Sequence, residues 1–181
     1  MPRFGRERKR FWRGSKEQRQ RLVNKGTAET EFEKRRGVSQ VEVRHGFAQV
    51  HVSRIQGDVM AERLNILDRV SKAGISIDFL KLTPSGMSFL VPETQGEIMD
   101  KVLEPCGDHF TVRQERSIVL VYAVNIRDEE GLIAGIVHTA ITNGIRVDHI
   151  GDMHDRMLMV VKRHEADSLA KLVRETLMEA E

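Results

Sequence analysis

A chain of 181 residues, 40% hydrophobic but only 5% aromatic, can hold one ordinary domain or two small ones. Its single cysteine, Cys106, excludes an internal disulfide and suits a reducing cytosol, while no apolar stretch approaches the roughly 20 residues that span a bilayer. The net charge of +2 conceals a division: the first 36 residues hold 13 of the 29 Lys and Arg but 5 of the 27 Asp and Glu, so a basic segment precedes an acidic body.

Residues 1–36 show dense charge and no apolar period, the composition of a disordered arm. Its arginine-rich start leads into no apolar run, so no secretory signal is expected. Phe4, Phe11 and Trp12 stand among Arg3, Arg6, Arg8, Lys9, Arg10 and Arg13. Arginines can pair with phosphates while aromatics stack on unpaired bases, so this arm is a candidate nucleic-acid contact. A solubilising arm explains the same composition.

From Val38 the pattern turns to strand. Val38, Val41 and Val43 lead to a turn signal at His45-Gly46, and Ala48, Val50 and Val52 then alternate as a half-buried strand. Gln56-Gly57-Asp58 breaks the run, with Asp58 placed as an N-cap. Met60, Leu64, Leu67 and Val70 mark one helix face, stopped by Gly74. Ile75, Ile77 and Phe79 read as a second strand, Thr83-Pro84-Ser85-Gly86 as a turn, and 87–91 as a third strand ended by Pro92. Ile98, Val102 and Leu103 give a weaker helix closed by Pro105 and Gly107, and 109–114 gives a fourth strand.

The order then recurs: strand 118–126, helix 131–143, strand 145–150, strand 156–161, helix 165–178. Gly74-Ile75 returns as Gly144-Ile145, Asp58 as Asp128, Asp78 as Asp148 and Met87 as Met157, seventy positions on and with no gap. Ala48, Val50 and Val52 fall on Ile118, Leu120 and Tyr122 at this spacing. Internal repetition of this kind fixes architecture ahead of residue-level reading. The second copy lacks a fourth strand, and the first has a spare strand, 38–45, in front of it. A sheet edge short by one strand is an acceptor for another, so the leading strand is predicted to complete the second unit.

The repeat resembles a pair of ACT domains, and specifically the regulatory half of aspartokinase. The resemblance rests on VSQVEVRHGFAQVHV from Val38, AERLNILDRVSKAGISID from Ala61, GLIAGIVHTAITNGIRVD from Gly131, and the strands beginning at Met87 and Met157. It implies an α+β fold of two ferredoxin-like βαββαβ units in tandem, with antiparallel sheets and helices on one face. The segments would be a basic arm over 1–36, a first unit over 37–115 and a second over 116–181. In that family the strand before the first unit completes the second, in agreement with the strand count. Family members usually pair side by side and bind an amino acid at the seam. No Lys-x-Gly-Gly start of a kinase half is present, so a regulatory module without catalysis is expected.

The resemblance places a ligand at the loop after the first strand and at the end of the second: Gln56, Gly57, Asp58, Val59, Met60, Ile77, Asp78, Leu82 and Thr83. Helix-start N–H groups attract a carboxylate, and glycine permits close approach. The loop lacks the family's Asp-Arg-Pro-Gly pattern, and Leu82 replaces a polar residue. The corresponding second loop, Arg127-Asp128-Glu129-Glu130-Gly131, carries three acids that repel a carboxylate, so the first unit is the expected site.

Histidines 138, 149, 154 and 164 match no metal-ligand spacing, and no metal or cofactor is expected. His149 falls where Phe79 falls in the first copy, which suggests a partly buried surface or an interface. The sequence therefore predicts a cytoplasmic, homodimeric amino-acid sensor, with lysine or threonine as favoured effectors. A separate aspartokinase chain is a possible partner. The alternative is a nucleic-acid-associated regulator that uses the basic arm, with the paired units as its scaffold. No nucleophile–base pair or glycine-rich phosphate loop points to an enzyme.

Overall fold

β1 (Val38–Val52) is one continuous strand where the sequence predicts two, and the turn expected at His45-Gly46 is a bulge within it. The structure, a computed structural model, describes residues 37–178 apart from 56, 107, 108, 125 and 128. After β1 come α1 (Val59–Lys72), β2 (Phe79–Thr83), β3 (Gly86–Pro92) and α2 (Gly96–Leu103). Then follow β4 (Phe110–Ala123), α3 (Leu132–Thr142), β5 (His149–Asp152), β6 (Arg156–Lys162) and α4 (Arg163–Leu177). The six strands form one antiparallel sheet in the order β2-β3-β1-β4-β6-β5.

β4 also fuses two predicted strands, and its union with β1 organises the sheet. Val50 lies between Phe89 of β3 and Val112 of β4, while Val41 pairs with Val121 in the later half of β4. The leading segment of β1 thus runs beside the strand that β6 borders on its other side. From Arg44 to Phe47, β1 uses one residue more than β4, and from Phe47 to Gln49, β4 uses one more than β1. Gly46 (φ +89°) and Glu115 (φ +56°) sit in these two bulges with left-handed backbone. An extra residue inverts strand alternation, so Val41 and Val43 face the same side as Val50 and Val52 despite odd and even numbering. All four helices therefore cover one face of the sheet.

Two cores lie under the helices. Ala48, Val50, Ile66, Val70, Phe89, Met99 and Leu103 are buried in one, and Val41, Val119, Val121, Ile136, Met157, Leu169 and Val173 in the other. A third cluster occupies the opposite face: Leu90, Ile118, Leu120, Leu158 and Val160, flanked by Phe47, Phe79 and Tyr122. The sheet folds over this cluster. Its two edge strands meet there, with the Phe79 and His149 rings 5.8 Å apart and a Cβ at Gly151 only 3.3 Å from the Phe79 ring.

The seventy-residue spacing fails at the first strand of each half. Val50 opposes Phe89 as Val119 opposes Met159, which is an offset of sixty-nine. Ala48, Val50 and Val52 therefore correspond to Ser117, Val119 and Val121. β4 is buried on both faces from Ser117 to Val121, so alternation could not distinguish them. The stripe of α1 also differs from expectation, since Met60 and Leu64 are 61% and 65% exposed. Leu67 and Val70 do face the first core, together with Ile66, and the half-buried Val59 and Arg63 extend the inward side in place of Met60 and Leu64. β2 and β5 begin four residues later than predicted because the isoleucine after each glycine closes the preceding helix. Ile75 N–H donates to Val70 O (3.2 Å) and Gly74 N–H to Ser71 O (2.9 Å); Ile145 and Gly144 repeat this pattern at 3.0 Å each. These are Schellman closures, with left-handed glycine at both.

Truncating Leu90 to Ala, in the cluster between the folded halves, is expected to destabilise the chain by about 2–5 kcal/mol. Gly46→Ala meets no neighbouring atom within 4 Å, so its backbone conformation alone should cost about 1–2 kcal/mol. Chemical denaturation of the two variants beside the parent chain measures both.

Candidate functional site

The predicted ligand residues occupy the α1 start and the end of β2. Asp58 caps α1, accepting from Met60 N–H (3.0 Å) and Ala61 N–H (3.1 Å), so its carboxylate is already engaged. Gly57, Asp58 and Met60 are exposed and Val59 half-buried. Ile77 packs against the first core, and Asp78 is exposed with its N–H donating to Leu90 O (3.0 Å). Leu82 is 52% exposed. The Thr83 carbonyl accepts from Arg63, which also donates to Gly86 O (3.2 Å) and so ties α1 to the β2–β3 turn. Gln56 lies outside the described residues, as do Asp128 and the arm residues Arg6, Arg8, Lys9, Arg10, Trp12 and Arg13.

Beside this loop is a cavity of about 200 Å³ lined by Val52, Ser53, Arg54, Ile55, Glu62, Ile66 and His109. It offers a guanidinium and a carboxylate over an apolar floor. Arg54 has φ +54°, a conformation that a non-glycine side chain adopts at a cost. None of the eight predicted ligand residues that the structure describes lines this cavity. Sequence reasoning passed over Arg54 and His109 because the latter comes from the start of β4, more than fifty positions away.

A second polar group lies where the edge strands meet. Asp148, at the start of β5 with 5% of its side chain exposed, accepts from Arg116 Nε at 2.9 Å. Arg113 and Arg146 approach it at 3.5 and 3.4 Å. His149 Nε2 lies 2.8 Å from Ser88 Oγ, and Ser88 donates its only hydroxyl proton to Val50 O (3.1 Å). His149 must therefore meet Ser88 as an N–H donor. Burial holds the His149 pKa below the ordinary histidine value, with the charges of Lys81 and His51 acting in the same direction. Met157 and Met159 are core residues, whereas Met153 is exposed. Among the described residues, no three His, Cys, Asp or Glu are grouped to hold a metal ion.

No family model and no curated protein matches the chain. Solved structures do. The regulatory subunit of aspartate kinase from Thermus flavus superposes with a TM-score of 0.68 at 16% identity, over 77% of this chain and 97% of that one. Its ligand-free counterpart from Thermus thermophilus gives 0.66 at 17%, over 76% and 96%. The chain shares its fold with the regulatory subunits of aspartokinase. E. coli aspartokinase III in complex with lysine and aspartate matches at 0.61 and 11%, over 78% of this chain but only 33% of that enzyme. The likeness covers both halves of the described sheet.

In this fold, Arg116 and Asp148 bind the β4 bulge to the β5 edge. Asp148→Asn removes the charge partner of an arginine only 11% exposed, and a loss of about 3–5 kcal/mol is expected in denaturant titrations. His149 gives a pH signature. Its folded pKa lies below its unfolded value, so the unfolded chain binds more protons in the intervening window and stability falls as pH drops below about 6.5. Melting temperatures between pH 7.5 and 5 should show that decline, and His149→Gln should flatten it.

Proposed function

We propose that this chain is a non-catalytic regulatory module that binds an amino acid at a seam between two copies of its first half. The observation that carries this reading is the apolar edge of that half. Leu80 and Leu82 on edge strand β2 are 43% and 52% exposed, and they point to the same side of the sheet as α1. Met60 and Leu64 on α1 are also exposed, and Arg63 holds α1 to the end of β2. The second half has no such edge: Asp152 there is bonded to Arg127 (2.8 Å), and Glu130 occupies the place of Met60. A desolvated β2–β2 seam would bury these four side chains.

The predicted ligand residues border this edge. Asp78 offers a carboxylate for an ammonium group, and Gly57 to Met60 form the α1 start beside it, whose first N–H groups the Asp58 carboxylate already holds. Leu82 and Thr83 belong to the strand at the seam itself. That one similar structure holds lysine supports an aspartate-family effector, with lysine or threonine favoured. An amino acid enclosed by two copies favours the dimer arrangement it fits, to the extent of its difference in affinity between arrangements. Another similar structure contains aspartokinase alpha and beta subunits, which supports a separate catalytic chain as the partner that reads this change. No helix among the described residues is long and apolar enough to cross a membrane.

The test is thermal melting of the full chain against the twenty amino acids, combined with sedimentation. A ligand at 100 times its Kd stabilises by about 2.7 kcal/mol, a rise of roughly 5–11 °C for a chain of this size. Leu80→Glu/Leu82→Glu should convert dimer to monomer and abolish that rise. A flat panel at millimolar concentrations overturns the sensor reading, and a variant that remains dimeric overturns the seam.

A further inference from the structure

Divergence between the two halves has left one side of the folded sheet polar. In the second half the positions facing inward along the shared strand are Ile118 and Leu120; by the strand register, their counterparts in the first are Gln49 and His51. Leu158 in β6 corresponds to Ser88 in β3, and Phe79 in β2 to His149 in β5. The apolar set packs as the third core. Of the polar set, Gln49, His51 and His149 line a cleft of about 180 Å³ together with Arg113, Arg146, Val147 and Asp148.

Two features of this cleft are unsatisfied. The first is charge. Asp148 is the carboxylate that Arg113, Arg116 and Arg146 share, and its short hydrogen bond is to Arg116. Neither Arg113 nor Arg146 makes a hydrogen bond among the described residues, and both keep an exposed side, so two guanidinium charges face the opening. Lys81, His51 and His149 add no negative charge. The second is an acceptor. Gln49 is 3% exposed, and its Nε2 donates to Ser88 Oγ at 3.4 Å. Ser88 has given its proton to Val50 O, so the Gln49 amide has to present its NH2 group there, leaving Oε1 buried with no partner among the described residues. A buried acceptor without a donor destabilises the fold that holds it.

We propose that this cleft binds a small phosphate dianion. Two negative charges match the two surplus guanidinium groups, whose forked donors suit phosphate oxygens. A hydroxyl on the same ligand supplies the donor that Gln49 Oε1 lacks. Hydrogen phosphate carries both, and so does a phosphomonoester with a neighbouring hydroxyl. The volume lies below the roughly 300 Å³ at which drug-sized pockets begin, so the occupant is small. The site is separate from the seam of the proposed effector and does not depend on it.

Calorimetric titration of the full chain at pH 7.5 and constant ionic strength tests this, with inorganic phosphate, glycerol 3-phosphate and sulfate as probes. Imidazole resonances of His51 and His149 report the location. Saturable binding of either phosphate compound, with both resonances shifted, is expected; the stronger of the two identifies the free anion or the ester as the better source. Sulfate has the charge but no donor and should bind at least about tenfold more weakly. Arg113→Gln/Arg146→Gln, at partly exposed positions, should weaken phosphate binding by tenfold or more without changing the fold. Gln49→Met should remove the preference over sulfate. Equal affinity for phosphate and sulfate, no saturation by either phosphate compound, or unchanged binding in the double arginine variant overturns the proposal.

Discussion

Two long strands, β1 and β4, each serve both halves of this molecule, and the bulges that bend them determine everything else about its shape. A strand that serves both halves of a folded sheet must turn a corner, and an extra residue on each side of the pair bends it while interrupting the ladder only locally. Because both strands carry one, alternation inverts twice in register and the helices stay on one side. Without the inversion, Val41 and Val43 would point away from the core that Val119 and Val121 help to form. Gly46 tolerates the left-handed backbone at one bulge; Glu115 accepts it at the other, where the carbonyls of Gln114 and Glu115 accept from Arg116.

Folding the sheet over its bare face brings equivalent positions of the two halves into contact with each other. Phe79 and His149 are repeat counterparts, and they touch across the approximate dyad. Substitutions there come in matched pairs: where the second half has His149, the first supplies Ser88 to receive its N–H, and where the first has Phe79, the second supplies Leu158 in the same cluster. A histidine placed on Leu158 would leave a buried donor unpaired, whereas Ser88 offers it an acceptor while keeping its own bond to Val50 O. An interior face can therefore diverge in polarity, while the fold persists, where such an acceptor is supplied.

The parts of this fold legible in the sequence were those governed by local chemistry. The helix stop at Gly74 and the Asp58 cap depend on residues within one turn and are read from spacing alone, whereas the isoleucine that completes each Schellman closure reads as strand in the sequence. The α+β class, with antiparallel strands and helices on one face, was likewise legible. The strand fusions were not, because a bulge glycine and a turn glycine look alike: His45-Gly46 carries no mark of which one it is. The inward stripe of α1 was legible at Leu67 and Val70 but not at its first turn, where Arg63 belongs to it and its purpose appears only when the β2–β3 turn supplies two carbonyls. Asp148 could be singled out as a repeated residue, but not as the centre of three arginines. Two of those lie on β4, more than thirty positions away and beside a bulge that spacing does not reveal.

Shared strands also limit how either half can respond to a ligand. The halves cannot hinge as separate domains do, since β1 and β4 are continuous between them and a third core fills the space inside. Relative movement has to be absorbed at Gly46 and Glu115, where hydrogen-bonded register is already interrupted and left-handed backbone already present. Those positions adjoin Arg116, which is bonded through Asp148 to edge strand β5. β5 touches β2 through His149, Gly151 and Phe79, and β2 carries the exposed leucines of the first half. A connected path of packed and ion-paired groups therefore runs from the bulges through the polar cleft to the apolar edge.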